Sequence, residues 1–282
     1  MRPVAKPAIL ITIPLSHYCE KARWGLDRAG LPYEEHAHAP LFSRLAGGTV
    51  PALVHGSRRF VDSTDILVHA DNSCGGDLLY PRDAKLRSEV EALVARFDSE
   101  LGPHTRRWAY SHMLSNAALI RAVWSRGVPR LEAILVPVIA PLARWLVSKA
   151  YKITPQSAQR SLDRVRGVFQ EVSTRLSDGR RFLMGDRFTA ADLTFAALAA
   201  PVVFPAECRA VHPALDAVPA AMREEILRLR DADAGRLALR LFAEERSCSG
   251  RSGAGLEARS RASHFTPDED NALETYLDQR EP

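Results

Sequence analysis

Ala8-Ile9-Leu10-Ile11-Thr12-Ile13-Pro14-Leu15-Ser16-His17-Tyr18-Cys19-Glu20-Lys21-Ala22-Arg23 is the stretch that decides the fold. Residues 8–13 are a short β-branched run between Pro7 and Pro14, which reads as a buried strand. A helical pattern follows over 18–29. Ala22, Leu26 and Ala29 fall at i, i+4 and i+7 on one face, and Gly30 supplies the stop past the end. A strand that feeds straight into a helix is the opening half of a βαβ unit.

Working outward, 32–38 reads as a second strand and 41–48 as a short irregular or helical piece. Thr49-Val50-Pro51 leads into two short apolar runs, 51–55 and 58–61, joined at Gly56-Ser57 as a hairpin. Asp62-Ser63-Thr64-Asp65-Ile66 opens a helix over 63–72 that ends near Gly75-Gly76. The order β-α-β-(α)-β-β-α combines a parallel pair with an antiparallel hairpin, an α/β thioredoxin-like arrangement. Gly75-Gly76-Asp77 and Tyr80-Pro81-Arg82 mark a linker. Beyond residue 84 the periodicity is helical, with Leu86, Val90, Leu93, Val94 and Phe97 in one stripe. Further helices are predicted at 112–126, 130–150, 155–177, 190–200 and 219–230. The expected organisation is a thioredoxin-like domain over 8–80 and an all-α helical bundle over 84–245. A disordered tail is expected over 247–282, with a lone helix at 268–277.

The segment 133–143 is strongly apolar and holds Pro137 and Pro141. Its eleven residues between Glu132 and Arg144 fall short of the roughly 20 that a membrane span needs. It reads as a kinked core helix or a subunit contact, and membrane association is not expected.

Apolar residues make up 46% of the 282 and charged ones 26%, enough to bury two cores. The 38 basic residues, mostly arginine, are interleaved with 34 acids for a net charge of +4. That balance describes a solvated surface and argues against a nucleic-acid partner. Cysteines at 19, 74, 208 and 248 show neither metal-ligand spacing nor a disulfide framework, so no metal is expected and a reducing compartment is favoured. The N-terminal residues lack a signal-peptide pattern, which makes the cytoplasm the default.

Taken together, Ser16 at a strand-to-helix corner, Val50-Pro51 before a strand and Asp62-Ser63 at a helix start resemble a cytosolic glutathione transferase over roughly 8–245. The resemblance implies glutathione as co-substrate. Lys21-Ala22-Arg23, lined up with the first helix of the zeta and omega classes, puts Ser16 at the catalytic Ser or Cys of those classes. A helix N-terminus favours an anion such as a thiolate, and a hydroxyl there can donate to the sulfur. Ser16 also suits a plain N-cap role, and the two are compatible. Cys19 completes Ser16-x-x-Cys19, a CxxC whose first, attacking thiol is replaced. It could contact glutathione or form a mixed disulfide, or it is a small apolar side chain. Tyr18 offers a phenol, though the family's catalytic tyrosines lie nearer the first strand. His17 is either a tuner of the site or a solvated loop residue.

By the same resemblance, Pro51 follows a cis bond and Val50 presents its backbone to the cysteinyl part of glutathione. Asp62 and Ser63 would take the γ-glutamyl ammonium and carboxylate. The family usually has Glu-Ser or Gln-Ser there, so Asp62 is one methylene shorter; a bare capping pair is the other reading. Trp108, Tyr110 and His112 are candidates for the helical wall of an electrophile pocket between the domains. Thr189 and Asp192 form a variant capping box with Phe188 and Leu193 as its staple, a structural motif. The implied protein is a Ser- or Cys-type glutathione S-transferase, a homodimer by the same resemblance, that directs the thiolate at a small hydrophobic electrophile or a peroxide. Two alternatives stand: a glutathione-dependent thiol-disulfide oxidoreductase using Cys19, and a non-catalytic binding protein of the same fold.

Overall fold

Strand β1, Ala8–Thr12, is the hub of a four-stranded sheet. It runs parallel to β2, Tyr33–Ala37, with Ala8 opposite Tyr33 and Thr12 opposite Ala37. On its other side it is antiparallel to β3, Ala52–His55, with Ile11 opposite Ala52. Strand β4, Arg58–Phe60, closes the hairpin, giving the order β2-β1-β3-β4. The computed structural model describes residues 7–208, 210 and 212–246. The tail and lone helix expected beyond 246 lie outside them.

The crossover helix α1, His17–Arg28, and the later helix α3, Ser63–Ser73, pack together over the sheet. Gly25 permits the approach: a Cβ there would stand 2.9 Å from Leu67 Cδ1. Leu10, Leu26, Leu53, Ile66 and Ala70 fill the space between these helices and the strands. Between β2 and β3 lies α2, Phe42–Gly47.

The second half is helical: α4, Ala84–Glu100; α5, Gly102–Met113; α6, Ala117–Trp124; α7, Arg130–Ala150; and α8, Pro155–Leu176. Then come α9, Ala190–Val203; α10, Ala220–Asp231; α11, Asp233–Leu241; and a closing π-helical turn, Phe242–Arg246. The single helix expected at 112–126 is instead the end of α5 and the whole of α6. Asn116 makes the break, because its side chain accepts from the Leu119 amide and starts a new helix. The last helix and turn carried no expectation; Ala232, with extended backbone at ψ 152°, separates them from α10.

Helix α9 is buried along its whole length, so the bundle is built around it. Asp192 fixes its start. One carboxylate oxygen accepts from the Thr189 amide at 2.9 Å and the other from the Leu183 amide at 2.7 Å. The Ala190 amide reaches back to the Leu79 carbonyl, tying the bundle to the end of the first half.

The reading of 133–143 as a kinked core helix is corrected by the structure. Only Glu132, Val136, Ala140 and Ala143 of α7 are buried, whereas Leu131, Ile134, Val138, Leu142, Trp145 and Leu146 face outward. Both faces of the helix are apolar, so periodicity alone could not say which one turns in.

Two outcomes follow from the buried charges. Arg246 donates to Glu20 at 2.8 Å and to Asp27 at 2.8 Å, and Glu20 is fully buried. Arg246→Met therefore lowers stability by about 3 kcal/mol, read as a shifted urea midpoint at unchanged m. Burial raises the Asp192 carboxyl from 3.8 to about 6. The folded state holds that proton more tightly than the unfolded chain, so this group's contribution falls as pH rises from about 4 to about 6. Asp192→Asn flattens that part of the stability–pH curve, which thermal unfolding at a series of pH values checks.

Candidate functional site

Three pieces of the first half converge at the C-terminal end of β1. Ser16 is the N-cap of α1: its backbone is extended, at φ −76° and ψ 121°, and its Oγ accepts from the Cys19 amide at 3.3 Å. The residue is partly exposed. The same hydroxyl lies within hydrogen-bonding reach of the Cys19 thiol, so its proton would be shared between that sulfur and any acceptor outside. Val50–Pro51 is cis. Ile11 opposes Ala52 in an antiparallel ladder; continued, that register sets Pro51 level with Thr12, the last residue of β1, and Val50 just past it, on the side where the chain turns into α1.

The third piece is the start of α3. Asp62 is its N-cap, and Oδ1 accepts from Thr64 N at 2.7 Å and Asp65 N at 3.3 Å. The Ser63 amide is not among those the cap takes, and it opens the helix. Ser63 itself is buried, at 4% exposure, while Asp62 is exposed.

A cluster that sequence reasoning missed holds these helix starts together. Lys21 Nζ lies 2.7 Å from Thr64 Oγ1 and 2.7 and 2.8 Å from the two Asp98 oxygens. Thr64 Oγ1 also reaches Asp98 Oδ2 at 2.7 Å. Burial pulls the Lys21 ammonium down from its usual range, and Asp98 opposes that pull. One salt bridge thus fixes α1, α3 and α4 to each other beside the site. Lys21 stood in the motif, but nothing local marked Asp98, 77 residues away, as its partner.

The neighbours of Ser16 have other partners. The Cys19 thiol is fully buried and accepts from the Ile13 amide at 3.4 Å. Burial raises its pKa above the ordinary thiol value, against what a nucleophilic cysteine requires. Tyr18 donates its hydroxyl to the Asp98 carbonyl at 3.0 Å, and burial raises that phenol too. Gly102 makes room for it, since a Cβ there would meet the Tyr18 hydroxyl. His17 is buried rather than solvated. Its Nε2 donates to the Gly102 carbonyl at 3.0 Å, and burial lowers its pKa to about 3, so it is neutral near pH 7.

Helix α5 turns two faces to different places. Gly102 and Arg106 meet the start of α1, the Arg106 guanidinium lying 5.7 Å from the Tyr18 ring and 4.1 Å from the Tyr151 ring. Its Nε is buried without a partner among the described residues. Tyr110, one turn on, stacks at 6.0 Å on Tyr151. Trp108 and His112 instead line a cleft of about 460 Å³ within the helical half, with Pro155, Leu162 and Glu225. Arg106 and Tyr151, beside Tyr18 at the start of α1, are residues that the sequence reading passed over; an arginine among many gives no local signal.

Helices α6 and α7 reach the same corner. Glu132 accepts from the Ala39 amide at 2.7 Å and lies 2.5 Å from His38 Nδ1, both just after β2. A Cβ on Gly127 would touch the Pro14 ring at 3.7 Å.

Among the described residues, no group of His, Cys, Asp and Glu has the geometry to hold a metal ion. Native protein treated with iodoacetamide at neutral pH should be modified at exposed Cys74 and not at Cys19, with Cys19 reacting only after unfolding; peptide mass spectrometry reads this. Rapid labelling of Cys19 in the native state would reveal an accessible thiolate.

Residues 10–76 match the family model for the glutathione S-transferase N-terminal domain, and residues 155–224 that for the C-terminal domain. A search of curated proteins finds no match. Among solved structures, the chain is similar to a glutathione transferase from Burkholderia graminis with two glutathione molecules bound per subunit. The two are 18% identical, with a TM-score of 0.55 and 89% of this chain and 92% of that one covered. It is also similar to the beta-etherase LigF from Sphingobium sp., at 17% identity, TM-score 0.54, and 83% and 98% coverage. Glutathione transferase F2 from Populus trichocarpa gives 16%, 0.52, and 86% and 100%. Such identities speak for the fold alone. With both family domains in order and this sheet and bundle between them, the chain belongs to the glutathione transferase superfamily.

Proposed function

We propose that the protein is a glutathione transferase in which Ser16 stabilises the glutathione thiolate for attack on a small hydrophobic electrophile. The observation that carries this reading is the pairing of a partly exposed Ser16, the N-cap of α1, with a Cys19 that is fully buried on its first turn. A sulfur held at Ser16 would sit at the positive end of α1 and receive the hydroxyl's proton as a hydrogen bond. Its pKa would fall, and most of the acceleration would come from thiolate stabilisation and proximity. The Val50 backbone would align the cysteinyl part as an added strand. The Ser63 amide would take the γ-glutamyl carboxylate and Asp62 the ammonium. Arg106, a cation on the facing helix, would add to the field that favours the anion.

The burial of Cys19 favours this over the disulfide-exchange alternative, since exchange needs a reachable thiolate. A thiol-using enzyme fits a reducing compartment, and the cytoplasm is proposed on that ground.

The melting temperature against rising glutathione tests binding. A ligand specific for the folded state adds about 2.7 kcal/mol at a hundredfold Kd. The rise should saturate in the native sequence and in Ser16→Ala, and weaken in Ser63→Ala. Turnover of a model electrophile should fall about tenfold to hundredfold in Ser16→Ala, the worth of one hydrogen bond to a charge. A flat melting curve at millimolar glutathione would overturn the reading and leave a binding protein of the same fold.

A further inference from the structure

Helix α7 turns an apolar face outward over most of its length. Leu131, Ile134, Val138, Leu142, Trp145 and Leu146 recur at helical spacing and are 38–76% exposed. Folded monomers rarely leave so continuous an apolar row in water. At 21 residues the helix is about 30 Å long.

The stretch of chain around it carries one sign of exposed charge. Between Glu100 and Asp163 the chain holds a single acid, Glu132. That carboxylate is turned inward onto His38 and the Ala39 amide. Arg121, Arg126 and Arg130 stand at or before one end of α7 and Lys149 and Lys152 at the other, all of them exposed. An apolar row with a tryptophan, bracketed by cations and set in a segment with no exposed carboxylate between Glu100 and Asp163, complements an anionic lipid surface.

The packing of α7 decides between lying on a bilayer and crossing it. By length and composition the helix could span. Yet Glu132, Val136, Ala140 and Ala143 hold its other face against the protein, so only the outer row is available to lipid. A second copy is the poorer occupant. Two such faces meeting about a twofold axis would bring cationic rims together with no exposed acid of this segment to pair them.

We propose that α7 docks the protein peripherally on anionic membranes, laid flat in the headgroup region with its outer row in the acyl boundary and its flanking arginines and lysines on the lipid phosphates.

Full-length protein is sedimented with vesicles of equimolar phosphatidylglycerol and phosphatidylcholine, and with vesicles of phosphatidylcholine alone. The proposal expects binding to the first that weakens with salt, and much less to the second. Trp24, Trp108 and Trp124 are buried, so a blue shift in emission on binding reports Trp145. Val138→Ser with Leu142→Ser should abolish binding. Arg130→Gln with Lys149→Gln should weaken it about fivefold for each cation removed. Unchanged melting temperatures show that both pairs fold. No binding to the anionic vesicles at low salt overturns the proposal. So does binding that neither pair of substitutions alters. A dimer by sedimentation equilibrium that Val138→Ser with Leu142→Ser dissolves, without vesicle binding, would give the face to a second copy.

Discussion

Three charged residues within four positions, Glu20, Lys21 and Arg23, lie inside this protein, and the rest of the structure is arranged to accommodate them. Helix α1 has the sheet on one side and the helical bundle on the other, so no face of it can be left for its charges. Each therefore finds a partner from elsewhere: Lys21 meets Asp98 of α4, Arg23 meets Glu35 of β2 at 2.6 Å, and Glu20 meets Arg246 of the closing turn. Unpaired, any of these would cost more than a typical surface contact returns. Paired, they fix where α1 points, and its N-terminus is where the proposed site lies.

That placement gives Ser16 and Cys19 opposite environments one turn apart. The cap residue stands outside the helix and keeps some contact with solvent. The residue three further on faces the sheet and is closed off. A sequence alone shows Ser-x-x-Cys as one array; the fold divides it into a partly exposed serine and a buried thiol. His17 and Tyr18, between them, are spent on joining α1 to the Gly102 and Asp98 carbonyls.

What could be read in advance was written in local signals. The β-branched run at 8–13, the Gly30 stop, the hairpin at Gly56-Ser57 and the Thr189–Asp192 helix start each depend on neighbours within a few residues, and all appear close to where they were expected. The cis bond at Val50–Pro51 was legible only through the family likeness. Partners across long separations left no trace in the pattern: Asp98 for Lys21, Arg106 and Tyr151 beside the site, Arg246 beneath α1. Helix α7 shows a different limit. Its apolar run was plain, but a helix apolar on both faces carries no instruction about which side is core.

The salt bridge between Glu20 and Arg246 joins residues 226 positions apart. A ribosome makes the carboxylate early and its guanidinium only after both the sheet and most of the bundle have been synthesised. Until then Glu20 has Arg23 of its own helix as a partner, at 3.4 Å, and that arginine is shared with Glu35 of β2. The first helix of the chain thus gains its last ion pair from the far end of the bundle.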